Sequence, residues 1–148
     1  MTKGDLDQSI ELVSHEVIGA AIEVHTAFGP GLLEGIYEDA LVIELQMRGI
    51  VVHRQVSMPV MYKGRQVRDQ RLDLLVERCL VVELKSVQMI RDIDREQVLG
   101  QLRATRLPLG LLLNFNTTKL YSGLSRIFNE RADKVLPVSP RFLASSPS

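Results

Sequence analysis

One segment constrains the fold more than any other: two short apolar runs, residues 72–76 and 80–84, separated by the polar pair Glu77-Arg78. Apolar runs of this length around a short polar turn predict a β-hairpin that is buried on both faces. The hairpin nevertheless carries Asp73, Glu83 and Lys85, and ionised groups inside a core are costly. We therefore expect these charges to meet at one rim of a sheet.

The residues before the hairpin predict two helices and two strands. Residues 8–28 have apolar side chains at helical spacing, and a Gly-Pro-Gly turn ends this helix. A second helix follows up to Gly49, and its core-facing stripe is expected to be Leu33, Ile36, Ala40, Ile43 and Met47. Residues 50–67 alternate and are β-branched, which predicts two strands around Pro59 and a hairpin turn at Lys63-Gly64. Pro59 indicates an edge strand or a bulge.

The residues after the hairpin predict a third helix and further strands. Ile90, Ile93, Val98, Leu102 and Thr105 have helical spacing, with Asp92 or Asp94 as a cap, and Pro108 prevents continuation. Residues 109–115 predict a buried strand and residues 119–129 another. This order of elements predicts an α/β fold, in which a mixed sheet is flanked by helices on both faces.

Length and composition favour one globular domain, residues 1–130, with a loosely ordered Pro- and Ser-rich tail at 131–148. Eighteen basic and eighteen acidic residues give no net charge, so a nucleic-acid partner would have to meet a local basic patch. Cys79 is the one cysteine, which excludes an internal disulfide and a cysteine-built metal site. No signal peptide or membrane-spanning stretch is recognisable, so we expect a cytoplasmic protein with no membrane partner.

The charged rim predicts a metal site. Glu83 and Lys85 are two residues apart and point to the same face, while Leu84 turns into the core. Oxygen ligands without Cys or His select Mg²⁺ or Mn²⁺, and Asp73, Glu83 and the Leu84 backbone carbonyl are the candidates. Lys85 could orient a water whose pKa the metal lowers. The alternative interpretation is a cross-strand ion pair at the rim.

At this point the sequence resembles a known family. Asp73, Glu83 and Lys85 are similar to the PD-(D/E)xK nuclease signature, although Leu72 replaces its proline. Gly31, Glu34 and Tyr37 resemble the motif of the GxxExxY proteins, a branch of that superfamily. The similarity runs from about Ile10 to Asn129. It implies a restriction-endonuclease-like core.

The resemblance also implies roles for individual residues. Glu34 takes the position of a helical acid that completes the metal shell, and a helix N-terminus should keep its carboxylate ionised. A helix-start Glu that faces solvent is the alternative. Asp73 and Glu83 are the implied metal ligands and Lys85 the residue that orients water.

Four further residues are substrate or catalytic candidates. Gln97 and Gln101 lie on one helix face and resemble a Gln-x-x-x-Tyr motif, with Gln101 at the position of the Tyr. Gln97 is expected near the catalytic residues, whereas Gln101 binds substrate or is plain surface. His25 and Tyr37 are substrate-binding candidates. Alternatively, His25 is structural and Tyr37 braces Glu34 or the sheet.

Two functions remain open at this stage. The first is a Mg²⁺- or Mn²⁺-dependent nuclease that cuts phosphodiester bonds of DNA by attack of water. The second is a catalytically silent nuclease-like module that binds nucleic acid or a protein. A homodimer, whose two sites address two strands, is an open alternative to a monomer. Basic residues that could meet phosphates lie around the predicted hairpin at 63–64 and on the third helix: Arg54, Lys63, Arg65, Arg68, Arg71, Arg95, Arg103 and Arg106.

Overall fold

The protein is described over residues 6–130 by a computed structural model. The elements in chain order are α1 (Gln8–Phe28), α2 (Glu34–Met47), β1 (Val52–Tyr62), β2 (Arg65–Val76), β3 (Leu80–Lys85), α3 (Asp92–Thr105), β4 (Leu109–Asn114) and β5 (Leu124–Phe128). A short 3-10 helix, Leu120–Gly123, precedes β5. The tail expected at 131–148 lies outside the described residues, so its loose order stays a prediction.

The strands form one mixed sheet in the order β1-β2-β3-β4-β5. β3 and β4 pair in parallel, and the other neighbouring pairs are antiparallel. A parallel pair needs a crossover connection, which α3 supplies. The predicted α/β class with a mixed sheet is therefore confirmed.

Helices cover both faces of the sheet centre. α1 and α2 pack on one face in a cluster that includes Val82 and Leu84 of β3. α3 packs on the other face in a cluster that includes Val81 of β3. Alternate residues of β3 thus enter opposite clusters. Both faces of β3 are buried, which explains why this strand is almost continuously apolar.

The core-facing side of α2 was predicted wrongly. Four residues of the expected stripe are exposed: Leu33, Ile36, Ile43 and Met47. The residues that face the sheet are Tyr37, Glu38, Leu41, Val42 and Leu45. The helix is apolar on two sides, so helical spacing alone does not identify the buried one. Glu38 can be buried because Arg54 and Gln55 of β1 both donate hydrogen bonds to its carboxylate at 2.8 Å.

Several predicted boundaries moved. β1 runs through Pro59, which lies on the edge strand as expected, instead of dividing there into two strands. The strand predicted at residues 72–76 is the end of the longer β2. α3 begins at Asp92, and the Asp94 carboxylate accepts a hydrogen bond from the Arg91 backbone N–H at 2.8 Å. The turns at Lys63-Gly64 and Glu77-Arg78 are confirmed.

Between residues 6 and 130, no helix combines the length and the apolar character that crossing a membrane requires.

Candidate active site

The candidate site lies where the β2–β3 ladder ends. The two strands pair from Val76↔Leu80 to Leu74↔Val82, which places Asp73 across from Glu83. The next backbone N–H of β3, that of Leu84, donates to Asp73 Oδ2 at 2.9 Å. Beyond the last paired residues, the Asp73 carboxylate accepts the hydrogen bond that a backbone carbonyl of β2 would otherwise accept. This bond fixes the Asp73 carboxylate against β3.

Glu83 is a buried acid with an unsatisfied oxygen. Its side chain is 9% exposed, and its Oε1 atom has no hydrogen-bond partner. Burial, a hydrogen bond to Asp73 and the negative charge of Asp73 together raise the pKa of Glu83 to about 9, although the Lys85 ammonium opposes this shift. At neutral pH the pair is therefore held together by a proton on Glu83. A cation bound between the two acids would replace that proton.

Lys85 is the last residue of β3 and points to the same face as Glu83. Its Nζ atom lies 3.9 Å from Asp94 Oδ1 in the first turn of α3. Its charge also lowers the pKa values of Glu83 and Glu34. The ammonium therefore lies between the sheet rim and the start of α3, within electrostatic reach of both glutamates.

Glu34 is the first residue of α2, which packs on the face of the sheet opposite to α3. Burial and the charge of Asp73 raise its pKa, while Lys85 lowers it. The helix terminus was expected to keep this carboxylate ionised, so the direction of the shift is opposite to that expectation. The main reason is the burial of the Glu34 carboxyl, and the second is repulsion by the nearby Asp73. This interaction brings Glu34 into the same charged group.

The carboxylate oxygens of Asp73, Glu83 and Glu34 are suitable ligands for a divalent cation, but they do not form a complete coordination shell. In the part of the chain from 6 to 130, no three Asp, Glu, His or Cys side chains converge as a metal shell. The unpartnered Glu83 Oε1 beside Asp73 nevertheless is what a hard cation would satisfy. The Leu84 N–H points to the β2 side, and a strand residue directs its N–H and C=O to the same neighbour. The Leu84 carbonyl therefore also points to the side of Asp73.

His25 and Tyr37 are buried within the scaffold. His25 is 7% exposed, and its Nε2 atom is 2.8 Å from the Thr117 carbonyl oxygen. The Tyr37 hydroxyl donates to the Gly29 carbonyl at 2.5 Å and accepts from the Leu32 N–H at 3.1 Å. The Tyr37 ring stacks on Phe115 with centroids 4.6 Å apart. Tyr37 thus braces the turn that precedes Glu34.

The two glutamines of α3 have different environments. Gln97 is exposed, as a substrate-contacting residue would be. Gln101 is buried, and its amide donates to the Arg71 backbone carbonyl at 3.3 Å. It is therefore not plain surface; it ties α3 to β2 two residues before Asp73.

Sequence reasoning missed three residues that hold the site together. Asp94 was considered only as a helix cap, but it is also the ion-pair partner of Lys85. The Ser86 hydroxyl donates to the Leu32 carbonyl at 2.6 Å and joins the end of β3 to the turn before Glu34. The Asn114 amide exchanges two hydrogen bonds of 3.0 Å with the Val87 backbone. The sequence offered one signal for Ser86, which directly follows Lys85.

Comparison with known proteins agrees with this geometry. A model of the PD-(D/E)XK nuclease superfamily matches residues 11–127. The match includes α1 from Glu11 onward, the sheet up to Ile127 and all the candidate site residues. Searches of curated proteins and of solved structures gave no match. On the strength of the superfamily match, the chain belongs to the PD-(D/E)XK nuclease superfamily.

Proposed function

We propose that this protein is a metal-dependent nuclease that hydrolyses phosphodiester bonds of DNA, and that it belongs to the GxxExxY branch of its superfamily. One observation carries the proposal. A buried glutamate with an unpartnered oxygen faces an aspartate at the rim of the sheet, and a lysine follows two residues later. Two ionised acids in this arrangement would repel each other, and a bound cation would relieve that repulsion. Placement in the branch rests on Gly31, Glu34 and Tyr37.

In this proposal Asp73, Glu83 and the Leu84 carbonyl bind Mg²⁺ or Mn²⁺, and Glu34 contributes from α2. When bound, such an ion lowers the pKa of water and stabilises negative charge on a phosphate. The side chains of the site hold the ion and position the attacking water. Glu83 would hold the ion through its ionised carboxylate, its proton passing to solvent. Lys85 donates hydrogen bonds that orient the attacking water.

The remaining candidates have less direct roles. Gln97, on the exposed side of α3, contacts the substrate close to the catalytic residues. His25, Tyr37 and Gln101 act on substrate binding through the backbone segments that they hold, because their polar atoms are buried. We further propose a cytoplasmic location.

A nuclease assay tests the proposal. Purified protein is incubated with single- and double-stranded DNA and RNA in Mg²⁺ or Mn²⁺, beside Asp73→Asn and Lys85→Ala. Both variants should cut DNA at least about a hundredfold more slowly, since Asp73→Asn removes a charged metal ligand and Lys85→Ala removes the group that orients the attacking water. Lys119→Ala, which removes an exposed lysine, is the matched control and should cut like the parent. The proposal fails if nothing is cut in either metal, or if the Asp73 and Lys85 variants remain fully active.

The second function is a catalytically silent module that binds nucleic acid or a protein. It is favoured by the unfinished metal shell, since no three acidic side chains converge among residues 6–130. The two functions differ in metal binding. A nuclease should be stabilised against heat by Mg²⁺ or Mn²⁺ through Asp73 and Glu83, whereas a silent module should melt at the same temperature with and without the ions.

We also propose a homodimer. It is supported by an apolar stripe along α2, exposed except at the half-buried Ala40, whose residues repeat at alternate spacings of three and four: Leu33, Ile36, Ala40, Ile43 and Met47. This is the spacing of a helix–helix seam. A two-fold axis would pack the stripe against its own copy and provide two sites for two strands.

A further inference from the structure

The first two strands continue beyond the rest of the sheet. β2 pairs with β3 only at residues 74–76, but it pairs with β1 over its whole length, from Arg65 to Val76. Residues 60–71, the outer part of this hairpin, therefore have no strand neighbour outside β1 and β2. All of them are exposed apart from the half-buried Gln70. We call this segment the ribbon.

The ribbon leaves the sheet at the rim that carries the candidate site. Because β2 runs antiparallel to β3, the beginning of β2 projects past the end of β3, where Glu83 and Lys85 lie. Arg71 is two residues before Asp73 in β2, so the base of the ribbon adjoins the candidate site along the chain. Gln101 donates to the Arg71 carbonyl and thereby anchors the base of the ribbon to α3.

The ribbon is a basic segment in a chain without net charge. It holds four basic residues, Lys63, Arg65, Arg68 and Arg71, and one acidic residue, Asp69. The Asp69 carboxylate accepts a hydrogen bond from Gln66. Over residues 6–130, ion pairs form at Arg48, Arg54, Lys85, Arg95 and Arg126 but at none of the four basic residues of the ribbon. These cations are therefore free to meet an external anion.

The geometry points to a duplex-DNA partner: we propose that the ribbon lies in the major groove of B-form DNA and its basic residues contact the backbone phosphates. A two-stranded β-ribbon fits this groove. The major groove of duplex RNA is too deep and narrow to admit it. Exposed Val60, Met61, Tyr62 and Val67 provide apolar contacts to base edges. The proposal rests on the proposed function only in that the bound duplex would reach the candidate site.

Binding is measured by fluorescence anisotropy in EDTA, so that no cleavage occurs. The probes are a fluorescein-labelled DNA duplex, its separate single strand and an RNA duplex of the same sequence, over a series of potassium chloride concentrations. The test variant is Arg65→Gln combined with Arg68→Gln. Its charge-matched control is Arg78→Gln combined with Lys119→Gln; Arg78 lies in the turn at the other end of β2, and both control side chains are exposed.

We expect the parent to prefer duplex DNA over both other probes. The ribbon variant should bind duplex DNA about tenfold or more weakly, and its slope of log affinity against log salt should fall by about two, one for each lost phosphate contact. The control should bind like the parent. Each of the following results overturns the proposal: an unchanged ribbon variant, an equally weakened control, or equal affinity for the three probes.

A vesicle arm and the nuclease assay separate the remaining outcomes. Binding to anionic phosphatidylserine vesicles that equals DNA binding would show a general anionic surface and would also overturn the proposal. If the ribbon variant loses duplex binding although the parent cuts nothing, the ribbon inference stands and the nuclease proposal fails. If the parent cuts DNA and the ribbon variant binds and cuts equally well, only the ribbon inference fails.

Discussion

At the residue scale, Glu83 combines two opposed requirements. Its burial among apolar neighbours positions an oxygen beside Asp73, but the same burial makes its ionised form costly. The free protein meets this cost by retaining a proton. Function and stability are thus in conflict at one side chain, and the conflict can be measured through pH.

Stability should depend on pH through Glu83. In the unfolded chain this carboxyl loses its proton near the ordinary pKa of 4.5, whereas in the folded protein it keeps the proton up to about 9. Between these pH values Glu83 is protonated in the folded protein and ionised in the unfolded chain. Unfolding therefore releases a proton, and raising the pH shifts the equilibrium towards the unfolded state. The contribution of Glu83 to the free energy of unfolding should therefore be largest below pH 4.5 and fall as the pH rises towards 9, by at most about 1.4 kcal/mol for each pH unit.

Urea unfolding in EDTA across this pH range provides the measurement. Glu83→Gln should flatten the curve and be more stable than the parent on the alkaline side. Glu23→Gln, which changes an exposed glutamate on α1, should follow the parent. Mg²⁺ added at alkaline pH should stabilise the parent but not Glu83→Gln. Parallel curves for parent and Glu83→Gln would show that Glu83 does not carry the effect.

At the element scale, the packing of α3 on β4 depends on a residue without a side chain. A Cβ atom added at Gly110 would lie 2.7 Å from Val98 Cγ1 and 3.5 Å from the Leu102 methyl groups. Gly110→Ala should therefore push α3 away from the sheet and lower the free energy of unfolding by about 1–3 kcal/mol. Because α3 carries Asp94, the shift should also disturb the partner of Lys85.

Gly100→Ala is the matched control, since a Cβ atom at that helical position meets nothing within 4 Å. Its higher helix propensity should stabilise α3 by up to about 1 kcal/mol. Thermal or urea unfolding of both variants measures the difference. Equal stability of the two variants would contradict the close packing.

The elements also show what the sequence could and could not predict. The β2–β3 hairpin was predictable because its apolar runs and turn are local, and so was the meeting of Asp73 with Glu83. The buried side of α2 was not, because Leu41 and Ile43 are equally apolar and only the sheet decides between them. The raised pKa of Glu34 depends on a contact with Asp73 that spans the two layers. The bracing role of Tyr37 requires the turn to fold back onto its hydroxyl.

At the scale of the whole molecule, the distribution of surface types matters more than the composition. A chain with no net charge keeps a basic ribbon at one edge of the sheet and an apolar stripe on α2. Neither surface can be recognised from the net charge or the mean hydropathy of the chain. We propose a different partner for each, DNA for the ribbon and a second copy of the chain for the stripe.

The proposed dimer gives a prediction at this scale. Ile43→Glu places a charge in the middle of the α2 stripe, where Ile43 is 57% exposed and its replacement leaves the core intact. The parent should have twice the monomer mass by light scattering after gel filtration, and the variant the monomer mass. Leu12→Glu, at a residue of α1 that is 61% exposed, is the control and should remain dimeric. A monomeric parent would contradict the dimer.

The hydrogen-bonded burial of Tyr37 has a spectroscopic consequence. The sequence has three tyrosines and no tryptophan. Tyr37 is buried beneath the turn that leads to Glu34. Tyr62 is exposed on the ribbon, and Tyr121 is exposed in the 3-10 helix before β5. Uniform labelling with fluorotyrosine would therefore give one ¹⁹F resonance for each of these regions. Metal binding near Glu34 and DNA binding by the ribbon would then be observed as separate signals in one sample.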